Sequence, residues 1–140
     1  MLLKQKDIEK YIDLLLENLK NLKDEKLEFV WHLEDGSIYD TKSFNGWEWT
    51  QGVALYGIFK YYEQTGDRKL LDLLTEWYDK RFDEGLPEKN VNTVAPMLTL
   101  AYLFEITKNP KYLPYLEIWA EWVMRGIPRT KDDGIQHKVF

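Results

Sequence analysis

The stretch Glu63-Gln64-Thr65-Gly66-Asp67-Arg68-Lys69-Leu70-Leu71-Asp72-Leu73-Leu74-Thr75-Glu76-Trp77 returns in outline as Glu105-Ile106-Thr107-Lys108-Asn109-Pro110-Lys111-Tyr112-Leu113-Pro114-Tyr115-Leu116-Glu117-Ile118-Trp119. Glu63, Thr65, Lys69, Leu71, Leu74 and Trp77 each meet the same residue type 42 positions later. A helical pair repeated at that period means a solenoid or a closed toroid of helical hairpins.

Working outward, the pattern predicts five helices. Residues 6–22 carry Ile8, Ile12, Leu15, Leu16, Leu19 and Leu22 on one face. Residues 27–44 read as a short extended piece and a turn. The second helix runs from about Gly46 to Gln64 and stops at Gly66. The third starts after Asp67 as N-cap and ends near Gly85. The fourth begins around Asn92 or Thr93, with Pro96 in its first turn, and runs to Thr107. The fifth opens at Asn109-Pro110 and ends at Gly126. Helices two and four are apolar nearly all round, as inner helices are, and the Tyr and Leu positions of Leu98–Phe104 read as core. Helices one, three and five are amphipathic, as outer helices are. An inner ring wrapped by an outer ring is an α/α-barrel.

Composition bounds the rest. A chain of 140 residues is one domain, 1–140, with 44% hydrophobic and 15% aromatic residues and no cysteine. At this size about two-thirds of the unfolded surface can be buried. Disulfides and Cys-based zinc sites are excluded. The net charge of −5 argues against nonspecific nucleic-acid binding. No run is long and apolar enough to span a membrane, and no signal-like h-region opens the chain. These features read as a cytoplasmic protein without membrane or nucleic-acid partners.

The repeat also locates function. Phe44-Asn45-Gly46-Trp47-Glu48-Trp49-Thr50-Gln51-Gly52 places two indoles, a carboxylate and a carboxamide at a helix entrance. One period on lies Lys89-Asn90-Val91-Asn92-Thr93, and two periods on lies the region of Arg129-Thr130-Lys131-Asp132-Asp133-Gly134-Ile135-Gln136-His137. Equivalent places in a barrel converge on one end, and helix N-termini there favour an anion.

Together Asn45–Gly52, Glu88–Thr93 and Gln136-His137 resemble the unsaturated rhamnogalacturonyl hydrolases of glycoside hydrolase family 105, relatives of the family 88 unsaturated glucuronyl hydrolases. The resemblance implies an all-α (α/α)6-barrel of six hairpins, of which this chain holds about the first two and a half. It implies an unsaturated galacturonate as substrate, cut from a pectin-derived disaccharide by hydration of the C4=C5 double bond, with no metal or other cofactor. It also implies a catalytic aspartate beyond Phe140. The alternative is a noncatalytic carbohydrate-binding or helical-repeat interaction module.

Each candidate residue carries two readings. Trp47 and Trp49 stack on sugar faces or pack the inner helix. Glu48 is a buried carboxylate of raised pKa, or it closes a capping box with Asn45. Gln51 bonds a sugar hydroxyl or carboxylate, or is solvated. Asn90 and Asn92 are caps, with Asn92 the preferred ligand to substrate. His137, beside Gln136 and Lys138, reads as a site residue; His32 reads as structural. Arg129 and Lys138 hold a uronate carboxylate or belong to a solvated tail. Asp40 joins Glu48 as the nearby acid. The substrate-binding set is therefore Asn45, Gly46, Trp47, Trp49, Gln51, Asn92, His137 and Lys138. Apolar faces left open on helices two and four imply self-association or a missing C-terminal portion.

Overall fold

The computed structural model describes residues 4–137 apart from 33 and 35. The chain divides into two compact units, 1–46 and 47–140.

In the first unit, α1 (Gln5–Lys20) is followed by an antiparallel hairpin of β1 (Val30–His32) and β2 (Ile38–Asp40). Val30 faces Asp40, Trp31 faces Tyr39 and His32 faces Ile38, and Gly36 makes the turn at a φ of 82°. The helix has the expected amphipathic pattern, but none of its residues is buried. What fastens the hairpin is polar. Asp40 accepts from the N–H groups of Asp24 (2.7 Å), Lys42 (2.8 Å) and Ser43 (3.1 Å). Asp24, itself buried, accepts from the Phe29 N–H and pairs with Lys42 Nζ at 3.4 Å. Asp40 is thus held by backbone donors, which assigns it to the turn rather than to acid chemistry. His32 stands exposed on β1.

The second unit is α2 (Trp49–Thr65), α3 (Arg68–Glu84), α4 (Pro96–Thr107) and α5 (Leu113–Glu121), extended by a π-helical turn, Trp122–Gly126. The repeat is visible in its hydrogen bonds. Thr65 Oγ1 donates to the Tyr61 carbonyl at 2.9 Å and accepts from Asp67 N–H at 3.2 Å. Thr107 does the same with Leu103 at 2.7 Å and Asn109 at 3.3 Å. Asp67 caps the Lys69 N–H at 3.0 Å and Asn109 caps the Lys111 N–H at 3.1 Å. Gly66 and Lys108 end their helices in the left-handed conformation, at φ of 67° and 53°. The sequence expectation for the fifth helix shifts in one respect. Asn109 caps a turn, and α5 proper begins at Leu113 with Pro114 in its first turn.

The helices α2 and α4 lie side by side and run parallel. Gly52 meets Ala95 and Pro96 at one end, and Phe59 stacks on Tyr102 at 4.8 Å further along. Their inward residues, Leu55, Ile58, Phe59, Met97, Leu100 and Leu103, are buried. The outer helix α3 buries Leu70, Leu71, Leu74, Trp77, Tyr78 and Phe82 against them, and the Tyr78 hydroxyl donates to the Pro96 carbonyl at 2.5 Å. One expected core position departs: Leu98 is 51% exposed, because no element among the described residues covers that side of α4. No helix among the described residues is long and apolar enough to cross a membrane.

Candidate functional site

The first two segments singled out by the repeat are joined directly. The indole N–H of Trp47 donates to the Thr93 carbonyl at 2.8 Å. Around this bond Trp47 is 3% exposed, packed on Trp77 (5.4 Å between ring centroids), Tyr78 (5.8 Å), Phe82 (6.1 Å) and Trp119 (6.4 Å). Trp77 and Trp119, equivalent by the repeat, both lean on it. Its ring faces are spent on protein, so of its two readings the structure supports core packing. Trp49, two residues on, is 53% exposed at the first position of α2.

The capping box expected of Asn45 and Glu48 does not form. Glu48 is itself the N-cap of α2, in an extended conformation without a side-chain cap bond. The turn Ser43–Gly46, closed by Gly46 N–H to the Ser43 carbonyl at 3.0 Å, sets the helix start three residues later than a cap at Asn45 requires. Asn45 and Gly46 belong to the first unit. The Glu48 carboxyl is half-buried. Burial raises its pKa above the ordinary glutamate value, against the lowering effect of a bond from the Trp49 N–H. Gln51 is buried rather than solvated and accepts from the Thr50 hydroxyl at 2.8 Å.

The second segment is a turn, not helix: α4 starts at Pro96, three to four residues beyond the expected start. Asn90 organises it. Its side-chain oxygen accepts from the N–H groups of Asn92 (2.8 Å) and Thr93 (3.1 Å), while Thr93 Oγ1 accepts from Asn90 N–H at 2.8 Å and donates to the Glu88 carbonyl at 2.9 Å. Asn92 is half-buried and joins this turn through its backbone N–H. Lys89 lies with its Nζ 5.9 Å from the Trp119 ring. Thr93 was not among the expected site residues. The signal for it was available, since it is the repeat counterpart of Gln51, and both are buried.

The third segment closes on itself as a small hairpin. Thr130 N–H bonds the Gly134 carbonyl at 2.8 Å, Gln136 N–H bonds the Pro128 carbonyl at 2.9 Å, and Arg129 pairs across with Ile135. Asp133 takes a φ of 63° in the turn, and Arg129 donates to its carbonyl at 3.0 Å. Asp132 and Asp133 are solvated, as expected. His137 is exposed; Lys138 lies outside the described residues. Among the described residues no three His, Asp or Glu side chains converge to hold a metal ion.

One end of the second unit therefore gathers the starts of α2 and α4. A Cβ on Gly52 would lie 2.8 Å from the Ala95 backbone carbon, so this approach requires glycine. Along the chain these starts carry the exposed indole of Trp49 and the half-buried Glu48 and Asn92. That is a set suited to a small ligand with apolar faces and polar edges.

Comparison with known proteins bears on this directly. Residues 19–140 match Glycosyl Hydrolase Family 88. Over 93 residues the chain is 36% identical to the unsaturated rhamnogalacturonyl hydrolase YesR of Bacillus subtilis (strain 168), an alignment covering 66% of this chain and 27% of that protein. Two solved structures, each described as a possible member of the GH105 family, align with the whole chain at 48% identity. They come from Klebsiella pneumoniae subsp. pneumoniae MGH 78578 (TM-score 0.91) and Salmonella enterica subsp. enterica serovar Paratyphi A str. ATCC 9150 (TM-score 0.92). The chain spans 37% of each. Its hairpins are those of an (α/α)6-barrel.

Proposed function

The chain belongs to Glycosyl Hydrolase Family 88, and from that premise we propose that it supplies the N-terminal hairpins of a barrel enzyme that removes an unsaturated galacturonate from a pectin-derived disaccharide. The observation that carries this reading is the junction of the α2 and α4 starts, made by Trp47, Thr93 and Gly52. The name of the Bacillus subtilis relative supports the substrate class.

In the proposed reaction a carboxylic acid delivers a proton to C4 of the enol ether, and water adds at C5. The hemiketal then collapses and releases the neighbouring sugar. Trp49 offers a face for the unsaturated ring, and Gln51, Asn92, His137 and Lys138 its polar contacts. Trp47 acts as a positioning residue through Thr93. The proton donor is assigned to sequence other than residues 1–140. A positioned general acid contributes about 10²–10⁴-fold, so residues 1–140 alone turn over little or no substrate. Their open apolar faces favour self-association or union with the remaining hairpins.

The test follows the loss of ultraviolet absorbance of an unsaturated galacturonyl-rhamnose disaccharide. Residues 1–140 alone leave it unchanged. Co-expression with the part of the Klebsiella chain outside the aligned 37% restores the loss. Robust turnover by residues 1–140 alone, abolished by Glu48→Gln, would make Glu48 the acid and overturn that part of the reading. A complemented protein active only on saturated glycosides would sink the substrate assignment.

A further inference from the structure

Trp119 is a side chain on which three parts of the second unit meet. Trp47 of the first segment leans on it at 6.4 Å between ring centroids, and Lys89 of the second segment brings its Nζ to 5.9 Å from its ring. Trp122, half-buried in the π-helical turn, meets it edge-on at 6.2 Å and 69°. The third segment hangs directly from that turn. The Ile127 N–H donates to the Trp122 carbonyl at 2.7 Å, and Ile127 is buried. The next residue, Pro128, already accepts the Gln136 N–H that closes the hairpin.

The Ile127 bond reaches five residues back instead of four, so the turn is wider than an α turn, a feature often found at functional sites. Gly126, its last residue, lies against the Trp122 indole. A Cβ there would stand 2.9 Å from Cδ1, 3.5 Å from Nε1 and 3.6 Å from Cγ of that ring. Any side chain at 126 therefore displaces the ring, and the ring is what rests on Trp119. One period earlier the same places, Lys80–Glu84, are ordinary α-helix with neither a ring at the first nor a glycine at the last. The ring, the glycine and the wider turn come together where the chain leads to His137.

We infer that Trp122 and Gly126 are positioning residues for the third segment. Ring and glycine latch the π turn, and through Trp119 they hold the Pro128–Gln136 hairpin, with His137 after it, in one frame with Trp47 and Thr93. The inference rests on the proposed assignment of His137 to the sugar. The hairpin's own bonds, Thr130 to Gly134 and Gln136 to Pro128, set its shape and not its direction. Direction is set where the chain leaves the helix, and one residue more or less in a helix turns that exit by about 100°. A latch at the exit therefore decides where His137 is presented.

Placement is read as a distance, so a wrong substrate does not affect the first measurement. The chain has no cysteine, so spin labels enter only at Glu76→Cys on α3 and Asp132→Cys in the hairpin turn, both exposed. Residues 1–140 so labelled give one narrow distance distribution. Gly126→Ala and Trp122→Ala each broaden or shift it, whereas Trp122→Phe, which keeps a ring against Trp119, retains it. Adding Gly126→Ala to Trp122→Ala changes nothing further, because the ring that the new Cβ strikes is gone. Helix content by circular dichroism confirms that each variant folds. A distribution unchanged in both single alanine variants would overturn the inference, as would a double variant in which the two effects add. In the complemented enzyme, assayed well below the unfolding midpoint, both single alanine variants lower kcat/KM for the unsaturated disaccharide by about tenfold or more, as a misplaced contact does. Trp122→Phe keeps it. A displaced hairpin with kcat/KM intact would leave the latch standing and overturn the assignment of His137 to the sugar.

Discussion

The Trp47 indole N–H and the Thr93 carbonyl, 46 residues apart in sequence, are joined at 2.8 Å inside a cage of aromatic rings. Thr93 is also the knot of the Asn90 turn, through its hydroxyl and its amide. A single bond thus links the entrance of α2 to the loop that launches α4. Both ends are buried, so neither group has water as an alternative partner.

Trp47→Phe keeps the apolar bulk and removes the donor. The Thr93 carbonyl is then left buried without this bond, at a cost of about 1–3 kcal/mol. The expected outcome is a lower urea midpoint with an unchanged slope. Trp31→Phe, exposed on the first-unit hairpin, leaves the midpoint within about 0.5 kcal/mol and serves as the control.

Two glycines of α2 respond in opposite directions. Gly52→Ala places a Cβ at 2.8 Å from both the backbone carbon and the Cβ of Ala95, so the α2–α4 approach must widen, costing about 1–3 kcal/mol. Gly57 is exposed, and nothing lies within 4 Å of its added Cβ. Gly57→Ala therefore stabilises by about 0.5–1 kcal/mol through helix propensity and unfolded-state entropy. Thermal unfolding of the two single variants reads both signs.

Lys108 occupies the left-handed position that Gly66 fills one repeat earlier. A side chain there costs about 1 kcal/mol that glycine does not incur. Lys108→Gly raises stability by about that amount, whereas Gly66→Lys lowers it. Equal midpoints for all three proteins would show that the helix end relaxes instead.

These helix ends also show how far the sequence could be read. Asp67, Asn109, Gly66 and the 42-residue period act locally, and local signals placed the second, third and fifth helices within a few residues. The start of α4 escaped because Asn90 spends its side chain on the N–H groups of Asn92 and Thr93, which holds those residues in a turn. The failed cap at Asn45 has a similar cause, a preceding turn that delays α2. At the site, the register linking the first two segments was legible, since Trp47 and Thr93 meet. Which face of Trp47 pointed inward was not, because the deciding neighbours Trp77, Tyr78, Phe82 and Trp119 arrive from later helices.

Two carboxyls give the protein opposite pH responses. Burial raises the Glu48 pKa, so its neutral form is favoured in the fold. That contribution is fully present below the ordinary glutamate value and is lost as pH rises through the folded-state value. At Asp24 burial pushes the same way, but the Phe29 N–H and the Lys42 ammonium outweigh it and hold the pKa low. Its contribution is present above the ordinary aspartate value and is lost as pH falls through the lowered one. Urea midpoints should show Glu48→Gln gaining on the parent near neutrality and losing that gain in acid. Asp24→Asn should lose most near neutrality and least in strong acid. Parallel pH curves for variants and parent would refute both assignments.

Asn90 and Asn92 differ in what their side chains do, and this separates scaffold from site. Asn90 Oδ1 accepts two backbone N–H groups, so Asn90→Ala loses a turn cap and costs about 1–2 kcal/mol. Asn92 contributes its backbone N–H to that turn, whereas the Asn90 side chain holds it. Asn92→Ala therefore leaves stability within about 0.5 kcal/mol. In the complemented enzyme it raises KM for the unsaturated disaccharide, because a sugar hydroxyl or carboxylate loses its partner at a cost of about 1–1.5 kcal/mol, roughly tenfold. Asn90→Ala, assayed well below its unfolding midpoint, shifts KM far less. The two readouts cross, with stability falling for one asparagine and sugar binding for the other. If Asn92→Ala lowers the unfolding midpoint and spares KM, Asn92 belongs to the scaffold, and the substrate surface must be sought around Trp49 and His137 alone.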